Sequence, residues 1–151
     1  VSIKDVTPQE AFKTLQEDKE TSYLDVRTVS EFVAGHPRNA VNVPVLLPDS
    51  ASGQMSPNTE FLAVIEARFP KEARIIVGCM SGMRSQFAAD LMQKAGYQNV
   101  SNMQGGFGGV RDATGQIVKQ GWRDAGLPVE SGDGGAVSYE ALLKKTKAQQ
   151  A

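Results

Sequence analysis

Apolar positions along this chain fall into short alternating runs, separated by longer stretches of helical spacing, and that order predicts its elements. Val1 to Val6 alternates and predicts a short strand. Thr7-Pro8-Gln9-Glu10 carries a helix-start signature: Thr at the N-cap, Pro at the first helical position, Glu at the third. Ala11, Phe12 and Leu15 supply that helix's buried side. Ser22 to Val26 predicts a second strand, and Thr28 to Val33 a short helix capped by Thr28 or Ser30. A turn at Gly35 to Asn39 leads into a third strand, Ala40 to Val43, stopped by Pro44. Residues 46–57 read as loop, rich in Pro, Ser and Gly. Asn58 to Phe69 predicts a helix with Phe61, Leu62, Ile65 and Phe69 on one face. Arg74 to Gly78 is apolar enough for a central strand covered on both sides. Ser85 to Ala95 predicts a helix burying Phe87, Ala88, Leu91, Met92 and Ala95, with Gly96 as its stop. A weaker strand at Asn99 to Met103 follows, then a last helix, Val118 to Ala125, closed by Gly126-Leu127-Pro128.

Strands alternating with helices indicate an α/β domain, with a mostly parallel central sheet and helices on both faces. Such sheets bind ligands beyond the carboxyl ends of their strands. Two segments fall there, Asp25-Val26-Arg27 and Cys79 to Arg84, and parallel strands place both on one edge. The pattern divides the chain into a domain over residues 1–130 and a remainder over 131–151. Ser131-Gly132-Asp133-Gly134-Gly135 reads as a flexible linker, and Ser138 to Gln149 as a polar helical tail anchored by Leu142 and Leu143.

Composition narrows the function. A net charge of −1 without a long Lys/Arg run argues against a nucleic-acid module. No apolar stretch approaches the ~20 residues needed to span a bilayer. One cysteine rules out an intrachain disulfide and a multi-cysteine zinc site, and one histidine leaves little for any other metal. The N-terminal residues form neither a signal nor a transit peptide, so the expected location is cytoplasmic. The first residue is Val rather than Met, which leaves room for a targeting segment removed ahead of it.

That single cysteine, Cys79, is the candidate nucleophile. Between a strand end and a helix start it faces unpaired backbone N–H groups and the positive end of the helix dipole, which favour a thiolate. Ser81 and Gly82 let the backbone curl into an anion-attracting nest. Arg84 adds a planar, permanently charged donor, and a cation at a helix N-terminus is better explained by substrate than by the dipole. Met80 and Met83 are apolar, so anion binding in the segment Met80-Ser81-Gly82-Met83-Arg84-Ser85 rests on backbone and Arg84. Arg27 is a further candidate substrate contact. Asp25 reads as its structural partner. His36 lies in the predicted turn and reads as structural support rather than a base.

An ordered set of motifs then resembles the single-domain rhodanese (thiosulfate sulfurtransferase) family. It comprises Tyr23-Leu24-Asp25-Val26-Arg27, Glu31-Phe32, Gly35-His36-Pro37, Ala40-Val41-Asn42-Val43-Pro44, Ile75 to Ser85, Gly105-Gly106-Phe107 and Gly126-Leu127-Pro128. The resemblance implies a three-layer rhodanese-like domain and a ping-pong sulfur transfer that requires no metal or organic cofactor. Cys79 would take sulfur from thiosulfate, or a similar small anionic donor, as a persulfide. It would then pass it to cyanide or a thiol, including a protein thiol. The chain departs from the pattern at Asn39, where a Gly is common, and at an apparent insertion around Asp112 to Lys119 that displaces Trp122. A persulfide carrier or regulatory binding module with a protein partner is the alternative. A cysteine phosphatase or arsenate reductase fits less well, because its loop is longer than the four residues between Cys79 and Arg84.

Overall fold

The computed structural model describes residues 3–150, so Val1 and Ser2 of the first predicted strand lie outside the described residues. Strands β1 (Lys4–Val6), β2 (Ser22–Asp25), β3 (His36–Pro37), β4 (Val41–Asn42), β5 (Leu46–Pro48) and β6 (Met55–Pro57) alternate with helices α1 (Pro8–Glu17) and α2 (Val29–Ala34). Then come α3 (Phe61–Arg68), β7 (Ile75–Gly78), α4 (Met83–Lys94), β8 (Val100–Met103), the hairpin β9 (Val110–Arg111) and β10 (Ile117–Lys119), β11 (Val129–Glu130) and α5 (Tyr139–Gln150).

The central sheet has the order β1-β8-β7-β2-β4, with every neighbouring pair parallel. Successive side chains of β2 and β7 point to opposite faces and build two cores. On one face Leu24, Ile75 and Val77 pack with α3, α4 and α5. On the other, Tyr23 and Ile76 pack with Ala11 of α1, Phe32 of α2, Phe107 and Trp122. This is the expected three-layer α/β arrangement, with β7 buried along its whole length.

Both early helices start as the local sequence dictates. Thr7 and Glu10 complete a capping box on α1, and Thr28 and Glu31 do so on α2, making Thr28 the cap rather than Ser30. α3 starts at Phe61, later than expected, because Asn58 makes a turn instead: Phe61 N–H donates to its carbonyl and Glu60 N–H to its side chain.

Three expectations need correction. Residues 46–57 are not simple loop but a hairpin, β5 against β6, closed where Asp49 exchanges backbone bonds with Gly53 and Gln54. The helix expected over Val118–Ala125 is absent. Residues 117–119 pair with β9 instead, and the N–H groups of Trp122 and Arg123 donate to the carbonyls of Gly106 and Phe107, so that only a turn over residues 122–126 remains, closed by Ala125 N–H on the Gly121 carbonyl. On α4 the buried positions are Ser85, Ala88, Ala89 and Met92, while Phe87 is 42% exposed. Small side chains let the helix approach the sheet on the 85/88/89/92 face, turning Phe87 outward.

The displaced Trp122 is buried beside Phe12 and Tyr23, its indole N–H donating to the Pro128 carbonyl at 2.8 Å. The glycines at 132, 134 and 135 have positive φ and lead into α5. Along α5, Tyr139, Leu142 and Thr146 are buried, Tyr139 receives a bond from Asn58 at 2.9 Å, and Leu143 packs at the core's edge. Residues expected as a polar tail thus contribute a packed face. No helix among the described residues is long and apolar enough to cross a membrane.

Candidate active site

Strand β7 ends at Gly78, and the next residue, Cys79, is 1% exposed at the floor of the loop that opens α4. Gly82 caps that helix with φ +122°, a conformation that L side chains rarely adopt, and this turns its N–H onto the Cys79 Sγ at 3.1 Å. Ser85 Oγ lies 3.3 Å from the same sulfur. A sulfur anion held here has a backbone N–H, a hydroxyl and the positive end of α4 facing it.

The loop is held from behind by the Gly105–Gly108 segment. Phe107 N–H donates to the Cys79 carbonyl at 2.7 Å, and Gly108 N–H to the Met80 carbonyl at 2.9 Å. Gly106 sits at φ +60°, where an added Cβ would meet the Met80 carbonyl at 2.5 Å. Gly106→Ala is therefore expected to destabilise the fold by about 2 kcal/mol or more, read by chemical denaturation. An unchanged midpoint would remove the support assigned to this segment.

Arg84, the expected donor to an anionic substrate, is ion-paired within the site. Its Nη1 and Nη2 bond Oε1 and Oε2 of Glu31 on α2, at 2.7 and 3.0 Å. Glu31 is also held by Thr28 N–H and Oγ1. Burial works to raise the Glu31 pKa, but the bonds from Arg84 and Thr28 outweigh it and hold the carboxyl at about 2. A depressed carboxylate contributes stability above its ordinary value of 4.5, and that contribution is lost as pH falls towards about 2.

Arg27, the further candidate substrate contact, is buried and paired in this structure. Its guanidinium is 2% exposed, bonds both Asp25 oxygens through Nε and Nη2, and donates to the Gly35 carbonyl at 2.7 Å. Its Cζ lies 4.5 Å from the Phe107 ring centroid. Burial opposes the charge on Arg27, yet Asp25 more than compensates and raises its pKa. Arg27 and Asp25 thus form a buried strut behind the loop. His36 is buried as well, stacked on Phe32 with centroids 3.6 Å apart, and its Nδ1 donates to the Phe32 carbonyl at 2.7 Å.

Of the remaining loop residues, Ser81 is exposed, Met80 is half-buried against Gly108, and Met83 is 83% exposed at the mouth with Phe87 one turn along. Sequence reasoning missed Glu31 as a partner of Arg84, and Asn102, which bonds Ser85. The capping-box position of Glu31 was visible, but its second bond, across the loop, had no local signal. Among the described residues no group of His, Cys, Asp and Glu could hold a metal ion.

Residues 8–113 match the family described as rhodanese-like domain. The chain belongs to the rhodanese-like family. It is 38% identical over 109 residues to thiosulfate sulfurtransferase 16, chloroplastic, of Arabidopsis thaliana, covering 72% of this chain and 79% of that one. It is 40% identical over 85 residues to the senescence-associated protein DIN1 of Raphanus sativus, covering 56% of this chain. It spans 45% of the radish protein's length. The crystal structure of Rv0390 from M. tuberculosis superposes with a TM-score of 0.72 at 33% identity, over 87% of this chain and all of that one. Thiosulfate sulfurtransferase from Pseudomonas aeruginosa shares the fold, with a TM-score of 0.60 at 20% identity, over 97% of this chain and 24% of that one. Rhodanese-like proteins as a family are associated with a sulfur donor and a thiol acceptor.

Proposed function

We propose that this rhodanese-like protein is a sulfurtransferase that moves a sulfane sulfur from thiosulfate, or a similar small anion, through a Cys79 persulfide to cyanide or a thiol. The observation that carries this reading is the Gly82 N–H aimed at a cysteine sulfur on the floor of a four-residue loop. The Cys79 thiolate attacks the outer sulfur of the donor. A new S–S bond forms as the old one breaks, and sulfite leaves with the bonding pair. The acceptor then attacks that outer sulfur, and Cys79 departs as a thiolate. Splitting one transfer into two displacements lowers each barrier, and the loop donors stabilise the sulfur anion at both ends. Neither step requires a cofactor.

In this reading Met80, Ser81, Gly82 and Met83 form the wall around the donor, and Arg84 attracts its anionic end while shared with Glu31. Glu31→Gln removes the competing charge and is expected to lower the KM for thiosulfate by about threefold with little change in kcat, in a steady-state cyanide assay. A raised KM would mean that Glu31 positions Arg84 for the donor instead. An exposed apolar lip of Met83 and Phe87 favours a protein thiol as acceptor in the cell. The deciding measurement is intact mass after incubation with thiosulfate. The expected result is a gain of one sulfur atom that cyanide or a thiol removes; no gain would overturn the reading.

A further inference from the structure

Ser85 faces the nucleophile, and its own surroundings are the unexplained part of the site. Its Oγ lies 2.5 Å from Asn102 Oδ1 and 3.1 Å from the Gly82 carbonyl, besides the 3.3 Å contact with Cys79 Sγ. Asn102 lies on β8, 5% exposed, on the sheet face covered by α4. The parallel register sets Asp5 of β1 directly beside it. Asn102 Nδ2 donates to Asp5 Oδ1 at 3.3 Å and to Gln86 Oε1 at 3.4 Å. An ionised carboxylate only accepts, so Asp5 fixes the amide with its nitrogen towards β1 and its oxygen towards Ser85.

A serine hydroxyl has one proton to donate, and of its two oxygen acceptors the Asn102 amide at 2.5 Å outcompetes the Gly82 carbonyl at 3.1 Å. While it goes to Asn102, Ser85 can only accept from Cys79, which suits the thiol S–H. A thiolate needs that proton itself, so the hydroxyl must rotate away and leave the Asn102 oxygen without its donor. We infer that Asn102, oriented by Asp5, is a positioning residue that holds the Ser85 hydroxyl in its thiol-facing setting and so limits the resting thiolate at Cys79. On ionisation the thiol proton passes to a base in solution, and the Ser85 proton turns from Asn102 Oδ1 to Sγ without leaving its oxygen. This rests on Cys79 being the reacting sulfur, but its test does not require sulfur transfer.

With one cysteine in the chain, thiolate absorbance near the far-ultraviolet edge reads Cys79 alone once the native protein's alkylated form is subtracted. At one fixed, mildly alkaline pH, Asn102→Leu is expected to raise the thiolate signal by about threefold, and Ser85→Ala to lower it by a similar factor. Asp5→Asn, an exposed and nearly isosteric change, lets the Asn102 amide turn its nitrogen to Ser85 and is expected to raise the signal less. The charged and titratable groups around the sulfur, Arg84 with Glu31, Asp25 with Arg27, and the Tyr23 phenol, are retained in all three. In a Ser85→Ala background neither Asn102→Leu nor Asp5→Asn should change the signal. A fall or no change with Asn102→Leu, or a rise that persists without the Ser85 hydroxyl, overturns the inference. If Asn102→Leu does not fold, the Asp5→Asn pair decides by the same criterion. Failure to gain sulfur from thiosulfate with these signals intact would instead count against the sulfurtransferase reading.

Discussion

Cys79→Ser is expected to fold normally, to gain no sulfur from thiosulfate and to lose at least about 10³-fold in turnover. Serine is close to isosteric with cysteine, and its hydroxyl retains bonds to the Gly82 N–H and to Ser85, so stability should change by less than about 1 kcal/mol. The chemistry is what disappears. A serine hydroxyl stays protonated near neutral pH, and no base stands ready to take its proton. The chain's histidine is stacked on Phe32 with Nδ1 committed to a carbonyl, and Glu31 is paired with Arg84. Mass spectrometry and circular dichroism on the same sample separate the two outcomes. A folded serine variant that still took up sulfur would place the reaction on another group.

What could be read from the sequence was local. Thr7 with Glu10 and Thr28 with Glu31 announce their helices because a capping box is complete within one turn. The β7–loop–α4 unit was legible for the same reason: three apolar residues, Ile75 to Val77, then a cysteine and the small residues Ser81 and Gly82 follow within eight positions of the chain. The relations that set the site's electrostatics join distant residues. Arg84 meets Glu31 from 53 positions away, and Asn102 meets Asp5 from 97. Nothing in either neighbourhood signals its partner. The rotation of α4 was misread because hydrophobicity ranks Phe87 above Ala89, whereas close approach to a sheet selects the smaller side chain. The two hairpins escaped because their strands have two or three residues each, too few for a period to show. In the second, exposed Ile117 and Val118 imitate the start of an amphipathic helix.

The largest effect on stability is expected at Asp25. Asp25→Ala leaves the Arg27 guanidinium buried without its carboxylate and strands the Arg27 N–H that Asp25 also accepts at 3.0 Å. Breaking a buried pair on one side costs about 3–5 kcal/mol, because an unpaired charge in a dry interior has no compensation. For a chain of this length that lowers the melting temperature by about 10 °C. Replacing both partners, as Asp25→Leu with Arg27→Met, should recover part of the loss, since no charge is then left buried, while the Arg27 N–H and the Gly35 carbonyl stay unpaired. A double variant less stable than Asp25→Ala would contradict this account. The pair also decides what Arg27 does. A strut behind the loop predicts that the folded double variant keeps its KM for thiosulfate within about twofold, because the Arg27 guanidinium is 2% exposed and committed to Asp25, Gly35 and the Phe107 ring. A large rise in KM without a matching loss of stability would return Arg27 to the substrate.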